Sequence, residues 1–142
     1  SRNPPKEMIL MVQKEVAQRI CAKPQKMNLL AVSVQFYAKP EIIRYVSKKS
    51  FWPQPKVDSA IIKISPKRLQ RTVLDQLFFK IVKAGFSQPR KQLINNLSKR
   101  LKLNKGKVKN WLLKNSIQPT QRAQTLSLED WIKLTKSSKI NQ

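Results

Sequence analysis

From residue 74 onward the apolar positions keep helical time. Leu74, Leu77, Phe78, Ile81 and Val82 are spaced by three and four, with Gly85 next in step. That spacing places them on one side of an amphipathic helix. The same rule predicts a second helix through Leu93, Ile94, Leu97 and Leu101. A third runs through Val108, Trp111 and Leu112 and ends near Ile117, before Pro119. Ser127 followed three residues later by Asp130 has the form of a capping box, with Asp in place of the usual Glu. It predicts a fourth helix with Leu128, Trp131, Ile132 and Thr135 on its apolar face. Four short amphipathic helices joined by short links predict a small helical bundle.

Before residue 66 the pattern is shorter-ranged. The run EMILMV (residues 7–12) is apolar without alternation and predicts a buried strand of a parallel sheet. QKEVAQRICAK follows as a short helix with Val16, Ala17 and Ile20 on one side, ended by Pro24. NLLAVSVQFYA (residues 28–38) fits helix or strand; a stripe through Leu29, Val32 and Phe36, with Leu30 beside it, favours helix. EIIRYVS (residues 41–47) and DSAIIKIS (residues 58–65) predict two strands, the second closed by Pro66. The expected architecture is therefore an α/β piece over residues 1–66 and an all-α basic domain over residues 67–142. Three strands and two helices make a poor independent sheet. A strand of the parallel kind so close to residue 1 implies that the rest of its sheet lies upstream, and that the chain is a fragment.

Charge changes this picture most. Thirty Lys and Arg oppose seven Asp and Glu, for a formal net charge of +23. An imbalance of this size repels itself and calls for a polyanionic partner, nucleic acid first. The single cysteine, Cys21, excludes an internal disulfide or multi-cysteine metal site. With no histidine, the usual general base and the usual metal ligand are both missing. Two glycines are too few for a Gly-rich phosphate loop. No apolar run approaches the roughly 18 residues of a membrane span, and SRNPPKEM opens no signal peptide. These features predict a soluble, cytoplasmic protein.

Two stretches carry candidate chemistry. In FWPQPKVDSA (residues 51–60), Pro53 and Pro55 fix their own φ and restrict Trp52 and Gln54. An aromatic held there can close the core or stack against a base taken from RNA or DNA. Lys48, Lys49 and Lys56 suit an anionic ligand. Asp58 is expected to cap the turn or pair with Lys56, since no histidine or second carboxylate is near it for acid–base work. In FSQPRKQLINNLSKRLKLNKGKVKNW (residues 86–111), Pro89 is expected to be the first helical residue, with Arg90 and Lys91 at the helix start. Cations there oppose the helix dipole, so phosphate contact is the more natural role. Lys99, Arg100, Lys102, Lys105, Lys107 and Lys109 continue that surface. Asn3-Pro4-Pro5 resembles the amine-gripping motif of amino-methyltransferases, but Lys6 stands where an aromatic is needed, so a loop is expected.

Taken together, MILMVQKEVAQRI, VSVQFYA, FWPQPKVDSAIIKI, AGFSQPRKQLINNL and RAQTLSLEDW make the chain similar to the KsgA/RsmA family of rRNA adenine dimethyltransferases, in the family's order. The resemblance implies the C-terminal part of a Rossmann-like class I methyltransferase sheet followed by a small helical-bundle domain. It implies an S-adenosylmethionine-dependent enzyme that dimethylates the exocyclic amines of two adjacent adenines in small-subunit rRNA, acting as a monomer on the pre-ribosomal small subunit. It implies that Phe51 lines the adenine pocket and that Arg90 and Lys91 belong to the rRNA-binding surface; the basic run Lys99, Arg100, Lys102 and Lys105 is expected to continue that surface, and Trp52 to pack beside Phe51.

The family's Gly-rich cofactor loop, acidic ribose ligand and Asn-Leu-Pro-Tyr motif lie upstream of the matching segment. The resemblance therefore places catalytic and cofactor residues outside this chain, and the chain alone is expected to be inactive. Pro89 stands where a second Arg is usual, Gln124 where a Glu is usual, and QKMNLLAVSVQ replaces the family's Tyr-Gly-x-Leu-Ser approach to the helix that carries VSVQ. Methyl transfer to an aromatic amine relies on positioning more than on a histidine base. The alternative is a non-catalytic RNA-binding protein, a ribosome-assembly factor or a methyltransferase-derived transcription factor. An intact or degraded upstream cofactor loop would separate the two.

Overall fold

A computed structural model describes residues 6–67 and 73–138. Asn3-Pro4-Pro5 lies outside the described residues. The first unit holds strand β1 (Met8–Gln13), helices α1 (Lys14–Ile20) and α2 (Leu29–Tyr37), and strands β2 (Ala38–Val46) and β3 (Ser59–Pro66). Helices α3 (Val73–Gly85), α4 (Leu93–Leu101), α5 (Lys105–Lys114) and α6 (Leu128–Lys136) follow.

β3 is the middle strand, with β1 and β2 antiparallel on either side. Ile62 lies opposite Leu10 on one flank and Ile42 on the other. The register slips between Ile42 and Arg44, which leaves Ile43 as an extra, exposed residue in β2. Pro40 is tolerated in β2 because an edge strand needs no outward N–H. β1 is not the buried parallel strand its composition predicts. Its described partner is antiparallel, and Met8, Ile9, Leu10 and Met11 are exposed, Ile9 by 60%. An apolar run specifies a strand that can be covered on both faces, but the cover must come from other elements. Among the described residues, only β3 pairs with it.

One face of the sheet buries Ala60 and Ile62 against Ala17 and Ile20 of α1, with Val12, Val16, Leu30, Val34, Ile42 and Ile64 around them. α1 ends at Ile20, before Pro24 is reached. The Gln35 side-chain amide donates to the carbonyl oxygens of Ile20 and Ala22 (3.0 and 2.9 Å), satisfying acceptors that a helix end leaves free. Asn28 caps α2 through Ala31 N–H (2.8 Å).

The larger core belongs to the helices and is centred on Trp131, Phe78, Ile81, Leu93, Leu97, Leu112, Leu126 and Leu134. Burying a Trp removes roughly 200 Å2 from water, about 5 kcal/mol of transfer energy at about 25 cal/mol per Å2. Gly85 makes room for it: a Cβ there would lie 2.4 Å from Trp131 Cη2. The capping box of α6 is present in both directions, Asp130 N–H to Ser127 Oγ (3.1 Å) and Ser127 N–H to Asp130 Oδ2 (3.0 Å).

α2 belongs to both cores. Leu30 and Val34 face the sheet, while Ala31 and Val32 are buried among the later helices. Phe36 stacks on Phe78 with ring centroids 4.1 Å apart. Leu29, expected on the apolar stripe, is exposed. A helix buried on two sides is apolar nearly all round, which is why its period was ambiguous between helix and strand.

Candidate nucleic-acid interface

The β2–β3 connection is built on Asp58. Its carboxylate accepts the Lys48 backbone N–H (2.8 Å), and its carbonyl accepts Lys14 N–H (3.0 Å). Ser47 caps the short 3-10 turn Lys48–Ser50 through Lys49 N–H (3.2 Å). Asp58 is therefore a turn residue, one of its two expected roles, and its carboxylate is occupied.

The chain leaves this turn extended at Phe51 (φ −118°, ψ 149°). Phe51 is half-buried, and Trp52 is 95% exposed. The expectation that Trp52 packs beside Phe51 is therefore corrected. Of the two adjacent aromatics, one is partly covered and the other is left in solvent.

The second group lies between α3 and α4. Lys91 N–H donates to the Gln88 carbonyl (2.9 Å), closing a turn with Pro89 and Arg90 at its centre. Arg90 and Lys91 are thus in the turn before α4 rather than at its start, and Gln92 is the extended N-cap. Pro at the second position of a turn has the same φ as Pro at the start of a helix, so local sequence fits either. The long-range partners decide it. Leu93 N–H donates to Gln121 O (2.8 Å) and Ile94 N–H to Pro119 O (3.3 Å), so loop 119–121 occupies the helix start. An anion bound there would be held by side chains.

Asn96, not singled out from the sequence, holds the turn from below. It is buried, and its amide donates to the carbonyl oxygens of Gly85 and Gln88, both at 2.9 Å. The paired Asn residues of INNL were its only sequence signal.

Lys99, Arg100, Lys102 and Lys105 gather at the other end of α4, all exposed. α4 is nine residues long, so they stand about 13 Å from the Arg90–Lys91 turn along its axis. Lys99 and Arg100 also suit the negative end of the helix dipole. Lys102 is a left-handed cap (φ 55°), and Lys105 opens α5 against the dipole. From residue 76 to 128 there are twelve Lys and Arg and no carboxylate. Among the described residues the salt bridges are those of Lys63 with Glu7 and Glu41, on the sheet. Phe51 belongs to a different connection from these cations; the tie between them is α2.

Two grooves flank the α1–α2 loop. One, about 370 Å3, is lined by Glu15, Arg19, Lys23 and Lys26 among others. The second, about 290 Å3, includes Cys21, Lys23, Lys39, Lys67 and Glu129. Burial pushes the Cys21 thiol up from its ordinary pKa, and the Glu41 carboxylate adds to the shift. Each groove has more cations than carboxylates, a poor setting for a cationic sulfonium. Gly85 is packed on Trp131 and Gly106 sits in the first turn of α5, so neither opens a phosphate loop. The described residues do not fit S-adenosylmethionine. They include no cluster of three or more His, Cys, Asp or Glu able to hold a metal, and no helix long and apolar enough to cross a membrane.

A profile for the family described as ribosomal RNA adenine dimethylase matches residues 1–139. The chain is similar to ribosomal RNA small subunit methyltransferase A of Dehalococcoides mccartyi strain CBDB1, 43% identical over 134 residues that cover 92% of this chain and 45% of that protein. The protein of the same name from Geobacillus kaustophilus is 38% identical over 141 residues, 94% of this chain and 48% of that one. The chain thus spans about half the length of these curated relatives. Among solved structures, a dimethyladenosine transferase from Plasmodium falciparum aligns with a TM-score of 0.70 at 26% identity, over 91% of this chain and 55% of that one. The 23S rRNA methyltransferase ErmE aligns with a TM-score of 0.73 at 19% identity, over 96% and 55%, which bears on the fold alone.

Proposed function

The chain belongs to the ribosomal RNA adenine dimethylase family, and from that premise we propose that it is part of an S-adenosylmethionine-dependent enzyme acting on small-subunit rRNA. The complete enzyme dimethylates the exocyclic amines of two adjacent adenines during ribosome biogenesis. Residues 1–66 complete a methyltransferase sheet, and residues 67–142 form the rRNA-binding domain. The exposed apolar edge of β1 is where further strands of that sheet pair. The cofactor is held by the part of the relatives' length that this chain does not match, so the chain alone is inactive.

The observation that carries this reading is the joining, in one folded chain of this family, of an anchored aromatic turn and an acid-free basic surface. Phe51 forms one wall of the adenine pocket and holds the extruded base by its ring. Arg90 and Lys91 grip phosphates on one side of α4; Lys99, Arg100, Lys102 and Lys105 grip them on the other. Such a site orients the amine and leaves proton handling to solvent and to the rest of the enzyme, in keeping with a chain that has no histidine. The unit acts as a monomer in the cytoplasm.

The test is transfer of labelled methyl groups to unmethylated small-subunit rRNA by the full-length enzyme. Phe51→Ala is expected to lower turnover by roughly tenfold or more while leaving RNA affinity within about twofold, as expected for a group that acts by orienting the base. Unchanged turnover returns Phe51 to the core. Calorimetric titration of the 142-residue chain with S-adenosylmethionine is expected to give no heat of binding, and micromolar binding would overturn the placement of the cofactor. RNA binding without methyl transfer by the full-length protein would favour a non-catalytic assembly factor.

A further inference from the structure

We propose that Trp52 is a second stacking platform, which receives the nucleobase next to the one that Phe51 holds. This rests on the RNA reading above and adds a residue to it. Trp52 is 95% exposed, the most exposed large apolar side chain among the described residues. It takes part in none of their ring contacts, which gather Phe36, Tyr37, Phe78, Phe79, Phe86 and Trp131. An indole left in water forgoes the largest burial term any side chain offers, so its exposure contributes nothing to this fold.

The ring is exposed but its base is anchored. Asp58 ties the preceding turn through Lys48 N–H and is itself held to the start of α1 by Lys14 N–H; Phe51, half-buried, precedes Trp52, and Pro53 follows it. An aromatic plane on a fixed stem gives up little conformational freedom when a ligand lands on it. The surroundings choose the ligand. Lys49 and Lys56 are exposed nearby, and the one carboxylate of the connection, Asp58, is bound to backbone. A flat apolar face among cations suits an unpaired base on a phosphate backbone, because a base within a duplex already has both faces stacked. Phe51 is half-buried, whereas Trp52 stands open to solvent. They therefore serve two different bases: one drawn inward, and its neighbour held at the mouth. A membrane surface is disfavoured because Trp52 lies in a short irregular connection and not on the apolar face of an amphipathic helix.

The test uses the 142-residue chain and an RNA hairpin with two adjacent adenines in its loop, with binding read by anisotropy across a salt series. Trp52→Ala is expected to weaken binding roughly 5- to 100-fold, the range of one lost base–aromatic stack. The slope of log K against log salt should stay the same, because no charge is removed. Trp52→Phe should recover most of the affinity, and Lys49→Ala should lower the slope by up to about 0.9. Removing the base of one loop adenine should abolish the Trp52→Ala effect. The thermal midpoint of Trp52→Ala should match the parent, since the ring is exposed. Trp52→Ala binding as tightly as the parent, with RNA binding otherwise intact, overturns this inference alone. Failure of the parent chain to bind RNA at any salt overturns the underlying reading and this inference with it. Trp52-dependent fluorescence changes with anionic phosphatidylserine vesicles and none with RNA would assign the ring to a membrane surface instead.

Discussion

Asn96 reaches across the α3–α4 turn and donates a hydrogen bond to the carbonyl oxygen of Gly85 at 2.9 Å. Its second amide hydrogen goes to Gln88 O at the same distance. One buried side chain of α4 thus holds the end of α3 and the first residue of the turn that carries Arg90 and Lys91. Asn96→Ala leaves the buried Gly85 carbonyl without this partner and is expected to cost about 1–3 kcal/mol. Asn96→Asp, which turns an acceptor toward two acceptors, is expected to cost more. Urea unfolding at unchanged m-value checks the order, and a milder Asp variant would contradict the assigned donor geometry.

Gly85 is fixed by space rather than by backbone angle. A Cβ 2.4 Å from Trp131 Cη2 forces the indole or the helix to move. Gly85→Ala is expected to destabilise by roughly 1–3 kcal/mol, the usual range for overpacking a core, although alanine is the better helix former. Chemical denaturation of the single variant is sufficient. A stabilised Gly85→Ala would mean that Trp131 does not pack on this residue.

Arg90 and Lys91 are exposed in a turn held by other groups, so removing either should leave the fold intact. Arg90→Ala and Lys91→Ala are each expected to lower the salt slope of RNA binding by about 0.7–0.9 and to weaken binding at low salt across all sequences alike. Parallel salt series would expose a failure: an unchanged slope in both variants removes this turn from the phosphate surface.

Ser127→Ala removes half of the capping box on α6. The expected loss is about 1 kcal/mol, measured as a shift in urea midpoint. Because α6 carries the fully buried Trp131, the loss should appear in the global unfolding transition and not as local fraying.

The four helices after residue 73 were legible because each buries a single stripe, and Ser127 and Asp130 announced their cap in three residues. Other features needed partners distant in sequence. α2 hid its period because two cores share it. The apolar run of β1 marked a strand but could not say which neighbours cover it. The Arg90–Lys91 turn was displaced from the expected helix start by carbonyl groups of Pro119 and Gln121, some thirty residues on. For Phe51 and Trp52, composition offered two adjacent aromatics and no rule for which would be covered; the fold around the Asp58-anchored turn half-buries Phe51 and leaves Trp52 in solvent. Asn96 offered only the Asn pair of INNL as a local signal, since a buried amide is legible only from the carbonyl groups it faces.

Because α2 is built into both cores, the aromatic turn and the basic helices are held in one frame, with Phe36 on Phe78 as part of the joint. The distance between residues 51–52 and the cations along α4 is therefore set by the protein. Under the proposed function, an RNA that reaches both must offer its unpaired bases at a matching reach from its backbone, and the chain would work as a caliper that selects by length before any letter is read.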